Sequence, residues 1–313
     1  MVKTRFLLLG LLFALSVLAF MTLGARGNWD FVLPFRGMKL LALVTIATAV
    51  ALSTMVFQTL TANRILTPSI MGFDALYLML QTGLVFFLGG FGFATLDPTL
   101  KFILETALML TAALLLFGAV LRNAADLSRM VLTGLILGVF FRSLTALINR
   151  LIDPSEFSVV QQASFARFNA VNADLTWIAT GITLAVFLWL MRQHRALDVI
   201  SLGREAAINL GVDHDRATKR LLVAIALLVS VSTALVGPIV FFGLLVSALT
   251  HRLIGTWRHA ALLPASALTA ATVLVASQTL FERALRLQTS VSVVIEALGG
   301  LVFLFLILHR RPR

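Results

Sequence analysis

Apolar residues run along this chain in blocks near twenty residues, separated by short polar stretches. Blocks of that length predict membrane-crossing helices. They fall at roughly 6–24, 39–61, 69–90, 100–121, 129–149, 174–191, 220–236, 238–254, 262–281 and 291–308, so about ten spans are expected. The eighth begins at Gly237-Pro238, where a helix must break or kink because proline cannot continue the ladder. The longest polar intervals are 150–173 and 192–219. Nothing marks a second domain, and residues 1–313 are read as one transmembrane domain.

The later polar interval contains LGREAAINLGVDHDRATK, residues 202–219. It is charged and helix-prone, with Ala206, Ala207 and Leu210 expected on one face and Gly211 as the stop. A short helix held between two spans is either a connecting loop or a handle on which a soluble partner pushes; composition alone favours the loop. The earlier interval, RLIDPSEFSVVQQASFARFNAVNA, keeps Phe157, Phe165 and Phe168. It is expected to lie on the outer surface as a short helix, either gating an entrance or resting at the interface.

Composition agrees with the span pattern. The chain is 59% hydrophobic and 12% charged, whereas soluble domains carry about 25% charged residues. An all-α polytopic membrane protein follows. There is no cysteine, which excludes disulfides and cysteine-based metal sites or nucleophiles. His194, His214, His251, His259 and His309 lie near span ends without an HExxH pattern or a tight His/Asp cluster, so no metal site and no enzyme activity are expected. The formal charge of +11 suggests nucleic acid less than it suggests a membrane, because cations gather in cytoplasmic loops. With the N-terminus inside, most of the 25 lysines and arginines fall on the cytoplasmic side, which supports N-in, C-in. The first block follows MVKTR like a signal peptide, but is long enough to span and is read as a retained helix.

Within the spans, Ser53, Thr54, Gln58, Thr61, Ser230, Ser232, Thr233, Ser277, Gln278 and Thr279 suit close helix packing. Asp74 and Glu296 are costlier, since a carboxylate in a span needs a partner or water. Asp74 is expected near a helix N-terminus, where the dipole favours negative charge.

Four stretches together resemble the iron-siderophore and cobalamin permease family of ATP-driven (ABC) importers. The first is FQTLTANRILTPSIMGFD, with Gln58, Asn63, Pro68 and Gly72 at family positions and Asn63-Arg64 in place of the usual order. The second is the 202–219 loop, through Glu205, Ala206, Leu210, Gly211 and Val212. The third is GPIVFFGLL, with Gly237, Pro238 and Gly243. The fourth runs from Arg252 to Leu263-Pro264 and on to Ser266-Ala267-Leu268. The chain departs from the family at Ser247-Ala248, where Pro-His is usual. It departs again at Thr289 to Val293, where Glu-Leu-Pro-Val-Gly is usual, and at Arg36-Gly37-Met38-Lys39, which keeps both cations of Arg-Leu-Pro-Arg. The wording around residues 63–77 and 150–157 looks most like the branch importing ferric catecholate siderophores.

The resemblance implies a permease of the bacterial cytoplasmic (inner) membrane working by alternating access. It implies two cytoplasmic ATPase subunits docked on the loop between spans six and seven, a second and related permease as heterodimer partner, and a periplasmic binding protein that delivers a ferric siderophore. Arg204, Glu205, Ala206, Ala207, Leu210 and Gly211 would be the coupling helix. Arg36, Lys39 and Arg283 would meet acidic residues of the binding protein, or, for Arg36 and Lys39, anchor helices at headgroups. Gln58, Asn63, Pro68, Gly72, Gly237, Pro238 and Gly243 would belong to the pathway. The chain has no Walker A pattern, so ATP and Mg would be bound by the ATPase and no cofactor by this chain. The competing readings are an importer of another metal chelate or a cobalamin-type ligand, an ion-coupled secondary transporter, for which only Asp74, Glu296 and the break at Gly237-Pro238 are available, and an integral-membrane enzyme.

Overall fold

The structure is a computed structural model. It describes residues 2–25, 27, 29–120, 127–163, 165, 166, 168, 172–284, 293–295, 297 and 299–301. Helices account for nearly all of it: α1 Val2–Thr22, α2 Trp29–Leu60, α3 Phe73–Thr95, α4 Pro98–Val120, α5 Leu127–Asn149, α6 Pro154–Ala163, α7 Ala173–Arg192, α8 His194–Ile200, α9 Arg204–Asn209, α10 His214–Val236, α11 Phe242–Ile254 and α12 His259–Thr279. A 3-10 turn, Pro68–Met71, precedes α3, and a π turn, Leu280–Ala284, follows α12.

Eight of these helices are long and apolar enough to cross a membrane among the described residues, and α11, at 13 residues, is shorter. The expected tenth span at 291–308 lies mostly outside the described residues. Three expected boundaries are corrected. The second helix starts at Trp29 rather than at 39, and runs through Pro34, its sixth residue, with the loss of one intrahelical donor. The third begins at Phe73, since residues 68–71 form the tighter turn. The eighth begins at Phe242: Gly237, Pro238 and the next three residues are not helical.

Burial sorts the bundle into centre and rim. Most of α2 and α10 is buried, and α12 packs along α2. Their interior faces carry Leu52, Phe57, Leu222, Leu228 and Leu274, all closed to solvent. Helices α1, α4 and α5 form the rim, with exposed rows such as Leu7, Leu8, Leu11, Leu12 and Leu15 on α1. Apolar rows pointing outward suit lipid or a second apolar protein surface.

Two devices hold the rim on. At one end, Arg36 of α2 donates to the carbonyls of Phe20, Met21 and Leu23, satisfying the open C-terminus of α1. At the other, Arg5 of α1 donates to the Ile254 carbonyl at the end of α11. Between α3 and α5 the backbones themselves meet. A Cβ on Gly72 would stand 2.8 Å from the Gly138 Cα, and Gly134 faces Met71 as closely. Gly72 also has φ +86°, which only glycine adopts cheaply, so one residue serves both the turn and the crossing.

The 150–173 interval does hold a short helix, α6. Glu156 on it accepts the Gly90 N–H at 2.7 Å, where α3 restarts after a break at Gly89. Phe157 and Phe165 are exposed, whereas Phe168 is buried.

Candidate functional site

The loop between α7 and α10 builds a small, rigid surface. α8 continues almost directly from α7, α9 follows after Leu202-Gly203, and Gly211 closes α9 by donating to the Ile208 carbonyl. Asp213 then caps α10 by accepting the Arg216 N–H at 3.1 Å. Arg204 pairs with Asp215 at 3.3 Å, and Glu205 is exposed.

The expected face of this helix is corrected. Ala206, Ala207 and Leu210 do not point the same way. Ala207 is fully buried, because α9 lies down on α8 and α10 and turns one of its two alanines inward, while Ala206 is half-buried and Leu210 is 61% exposed. The exposed apolar ridge is instead Leu202, Ile208 and Leu210. Six helical residues give less than two turns, so a heptad-style reading of the face has little to work on.

Beside the ridge is a cavity of about 520 Å³ lined by Gln58, Thr59, Arg64, Leu202, His251, Trp257 and His259, among others. Arg64 stacks 3.9 Å over the Trp257 ring. His251 lies against the other part of that cluster, with ring centroids 5.7 Å apart from Trp257. Gln58 donates to the Arg64 carbonyl at 2.7 Å and to Ser247 Oγ at 3.0 Å, closing the end of α2 onto α11. Ser247 is one of the positions where the chain departs from the Pro-His pattern. Asn63 Oδ1 accepts the Ile65 N–H and shapes the same turn.

A polar chain runs from the loop into the bundle. Asp198 of α8 accepts, on Oδ1, both the backbone N–H and the ring Nδ1–H of His259 at the start of α12, each at 2.7 Å. The other ring nitrogen shares a 2.8 Å hydrogen bond with Thr59 Oγ1 near the end of α2. His259 is 3% exposed. Sequence reasoning passed over Asp198 and Thr59, and marked His259 only as a histidine near a span end. The partners are 61 and 200 positions apart, and no motif joins them.

A second, smaller cavity of about 20 Å³ lies in the middle of the bundle. Ser53, Thr54, Pro68, Asp74, Ser232 and Gly237 line it. That volume holds about one water. Asp74 is the second residue of α3, as the dipole argument expects, and its Oδ2 has no hydrogen-bond partner. Gly243 packs on Thr54, so closely that a Cβ there would collide with the hydroxyl. Pro68, Gly237 and Gly243 are thus gathered around one polar spot, with buried Pro238 beside them. Gln58 and Asn63 are not: Gln58 lines the large cavity, Asn63 shapes the turn after α2, and Gly72 belongs to the α5 crossing. Glu296 lies outside the described residues. A further buried carboxylate, Glu105 of α4, went unmarked. It accepts from Gln81 at 2.7 Å and is 3.8 Å from Lys101.

Two of the three expected docking cations are employed within the chain. Arg36 is 4% exposed and donates to carbonyls at the end of α1. Lys39 pairs with Glu282 at 2.6 Å with its side chain one-tenth exposed. The side chain of Arg283 lies outside the described residues. Among the described residues, no group of three or more His, Asp or Glu side chains is placed to hold a metal ion.

Comparison with known proteins places these features in context. The FecCD transport family matches residues 6–309. The Petrobactin import system permease protein YclO of Bacillus subtilis (strain 168) is 42% identical over 283 residues, covering 90% of each chain. The Petrobactin import system permease protein FatC of Bacillus anthracis is 31% identical over 277 residues, covering 88% of this chain and 78% of the relative. In fold, an inward-facing structure of a metal-chelate type ABC transporter superposes with a TM-score of 0.85 at 20% identity, covering 99% of this chain and 100% of that one. With the match running over nearly the whole described bundle, the chain belongs to the FecCD transport family.

Proposed function

We propose that this chain is a permease subunit of an ATP-driven importer of ferric siderophores in the bacterial cytoplasmic membrane. On a ten-span reading with both termini inside, α8, α9 and the large cavity would face the cytoplasm. The observation that carries the reading is the exposed Leu202, Ile208 and Leu210 ridge on a loop hydrogen-bonded into two central helices. A soluble ATPase seating that ridge in a cleft would move α12 and α2 through Asp198, His259 and Thr59. Two ATPase copies, acting on this permease and a related second one, would drive alternating access. A binding protein would supply the chelate from the other side. ATP hydrolysis belongs to the ATPase, and this chain does no covalent chemistry. The relatives named for petrobactin import make petrobactin-type chelates the first cargo to test, and the sequence wording supports a catecholate type.

The test is uptake of radioactive iron, as ferric petrobactin and as a ferric tricatecholate. It uses proteoliposomes holding the chain, its second permease and ATPases, with the binding protein outside and ATP on the ATPase side. Uptake that requires ATP and is abolished by Leu210→Asp supports both class and coupling surface. ATP-dependent uptake insensitive to Leu210→Asp would discard the coupling surface. Uptake following an ion gradient without ATP would overturn the class, and ATP-dependent uptake of a corrinoid alone would change the cargo.

A further inference from the structure

The coupling surface leaves one cavity unused. It lies where the inner end of α7 and the start of α8 face the first turns of α10, and it holds about 260 Å³. Liquid water takes about 30 Å³ per molecule, so the space suits several waters or one polar headgroup. Trp189, Gln193, Asp213, Arg216 and Arg220 line it, with small and apolar side chains between them. Two cations face one carboxylate, and Arg216 already touches that carboxylate at 3.1 Å. Arg220 is exposed. The position is the membrane boundary: Trp189 is in the last turn of a span, where aromatic rings favour the headgroup level. Half-buried Val186 stands about two turns along α7 from Gln193 on the same face, and exposed Val223 about one turn along α10 from Arg220. A basic, hydrogen-bonding pocket therefore opens onto an apolar surface on its membrane side.

We propose that this cavity binds the headgroup of an anionic phospholipid, with Arg216 and Arg220 on the phosphodiester, Gln193 donating to the polar head, and the acyl chains along Val186 and Val223. Charge selects the occupant, since a zwitterionic headgroup brings its own cation against the two arginines. The inference rests on the membrane reading above, not on the cargo or on the coupling surface. Asp213 is the internal competitor for Arg216. Removing its charge exposes that competition without losing the helix cap, because asparagine caps as well as aspartate.

The experiment is native mass spectrometry of the full-length chain in detergent, titrated with phosphatidylglycerol and, separately, with phosphatidylcholine. Phosphatidylglycerol adducts are expected to dominate. Each arginine near an anionic headgroup contributes about fivefold, so Arg216→Gln with Arg220→Gln lowers phosphatidylglycerol binding on the order of 25-fold. The pair Arg216→Lys with Arg220→Lys restores most of it, and Asp213→Asn raises binding about fivefold. Equal binding of the two lipids would overturn the proposal. So would an equal loss on changing Arg192 and Arg195, which are exposed and do not line the cavity. Displacement of the lipid by inorganic phosphate alone would overturn it too, because the cavity would then be a site for a free anion.

Discussion

A single carboxylate oxygen of Asp198 holds His259 twice, through its backbone N–H and its imidazole, each at 2.7 Å. The two residues belong to α8 and α12, so the contact fixes the loop between α7 and α10 to a central helix at its first residue. Because Nδ1 donates to Asp198, the ring orientation is set and Nε2 is aimed at Thr59.

This pair should transmit force more than it contributes to stability. Asp198→Ala leaves a buried ring nitrogen without an acceptor, a loss of about 1–3 kcal/mol. The expected outcome is a folded chain whose partner ATPase still turns over while transport per ATP falls at least about tenfold. Measuring hydrolysis and uptake in the same proteoliposomes checks it. If both fall in proportion, Asp198 merely supports assembly.

The ridge on α9 predicts a contrast within one loop. Leu210→Asp and Ile208→Asp place charge on exposed positions and should leave the fold intact while abolishing ATP-driven uptake. Ala207→Asp buries an unpaired carboxylate between α9, α8 and α10 and should lower the yield of folded protein sharply. Size-exclusion profiles beside uptake assays separate the two classes.

At the α3–α5 crossing, Gly72→Ala should destabilise by more than about 1–3 kcal/mol, since overpacking against Gly138 adds to the cost of φ +86°. Gly181→Ala, in a helix with open space around it, should be neutral or slightly stabilising. Thermal unfolding of the purified chain in detergent reads both.

The cations Arg36 and Lys39 give a fourth test. Arg36→Met should lower thermal stability, because three carbonyls of α1 lose their donor. Binding-protein affinity should change little in the molecules that remain folded. For the Lys39 and Glu282 pair, the charge swap Lys39→Glu with Glu282→Lys should recover part of what either single reversal loses. Unaltered stability with a loss of binding-protein affinity would return Arg36 to a docking role.

The membrane class and most helices could be read from the apolar blocks, because block length depends on bilayer thickness alone. Motif glycines were also legible, although their reasons were not: Gly72 needs the Gly134 and Gly138 backbones to explain it, and Gly243 needs Thr54. What escaped the sequence was partnership. Arg36 and Lys39 looked like surface cations because nothing in a linear string says that one meets the end of α1 and the other meets Glu282. The α9 face was misjudged for a related reason. Two adjacent alanines do not reveal which of them the neighbouring helices cover.

The two arginine contacts on α1 carry a consequence for how the chain is made. The acceptor for Arg5 lies 249 residues downstream, and the helix that α1 chiefly packs against, α12, is later still. At translation rates of about 5–20 residues per second, α1 has Arg36 of α2 at one end but waits roughly 10–50 seconds for α11 and α12. A leucine-rich surface that lipid solvates without penalty suits that interval. α1 is thus fastened early at one end and covered late along its length.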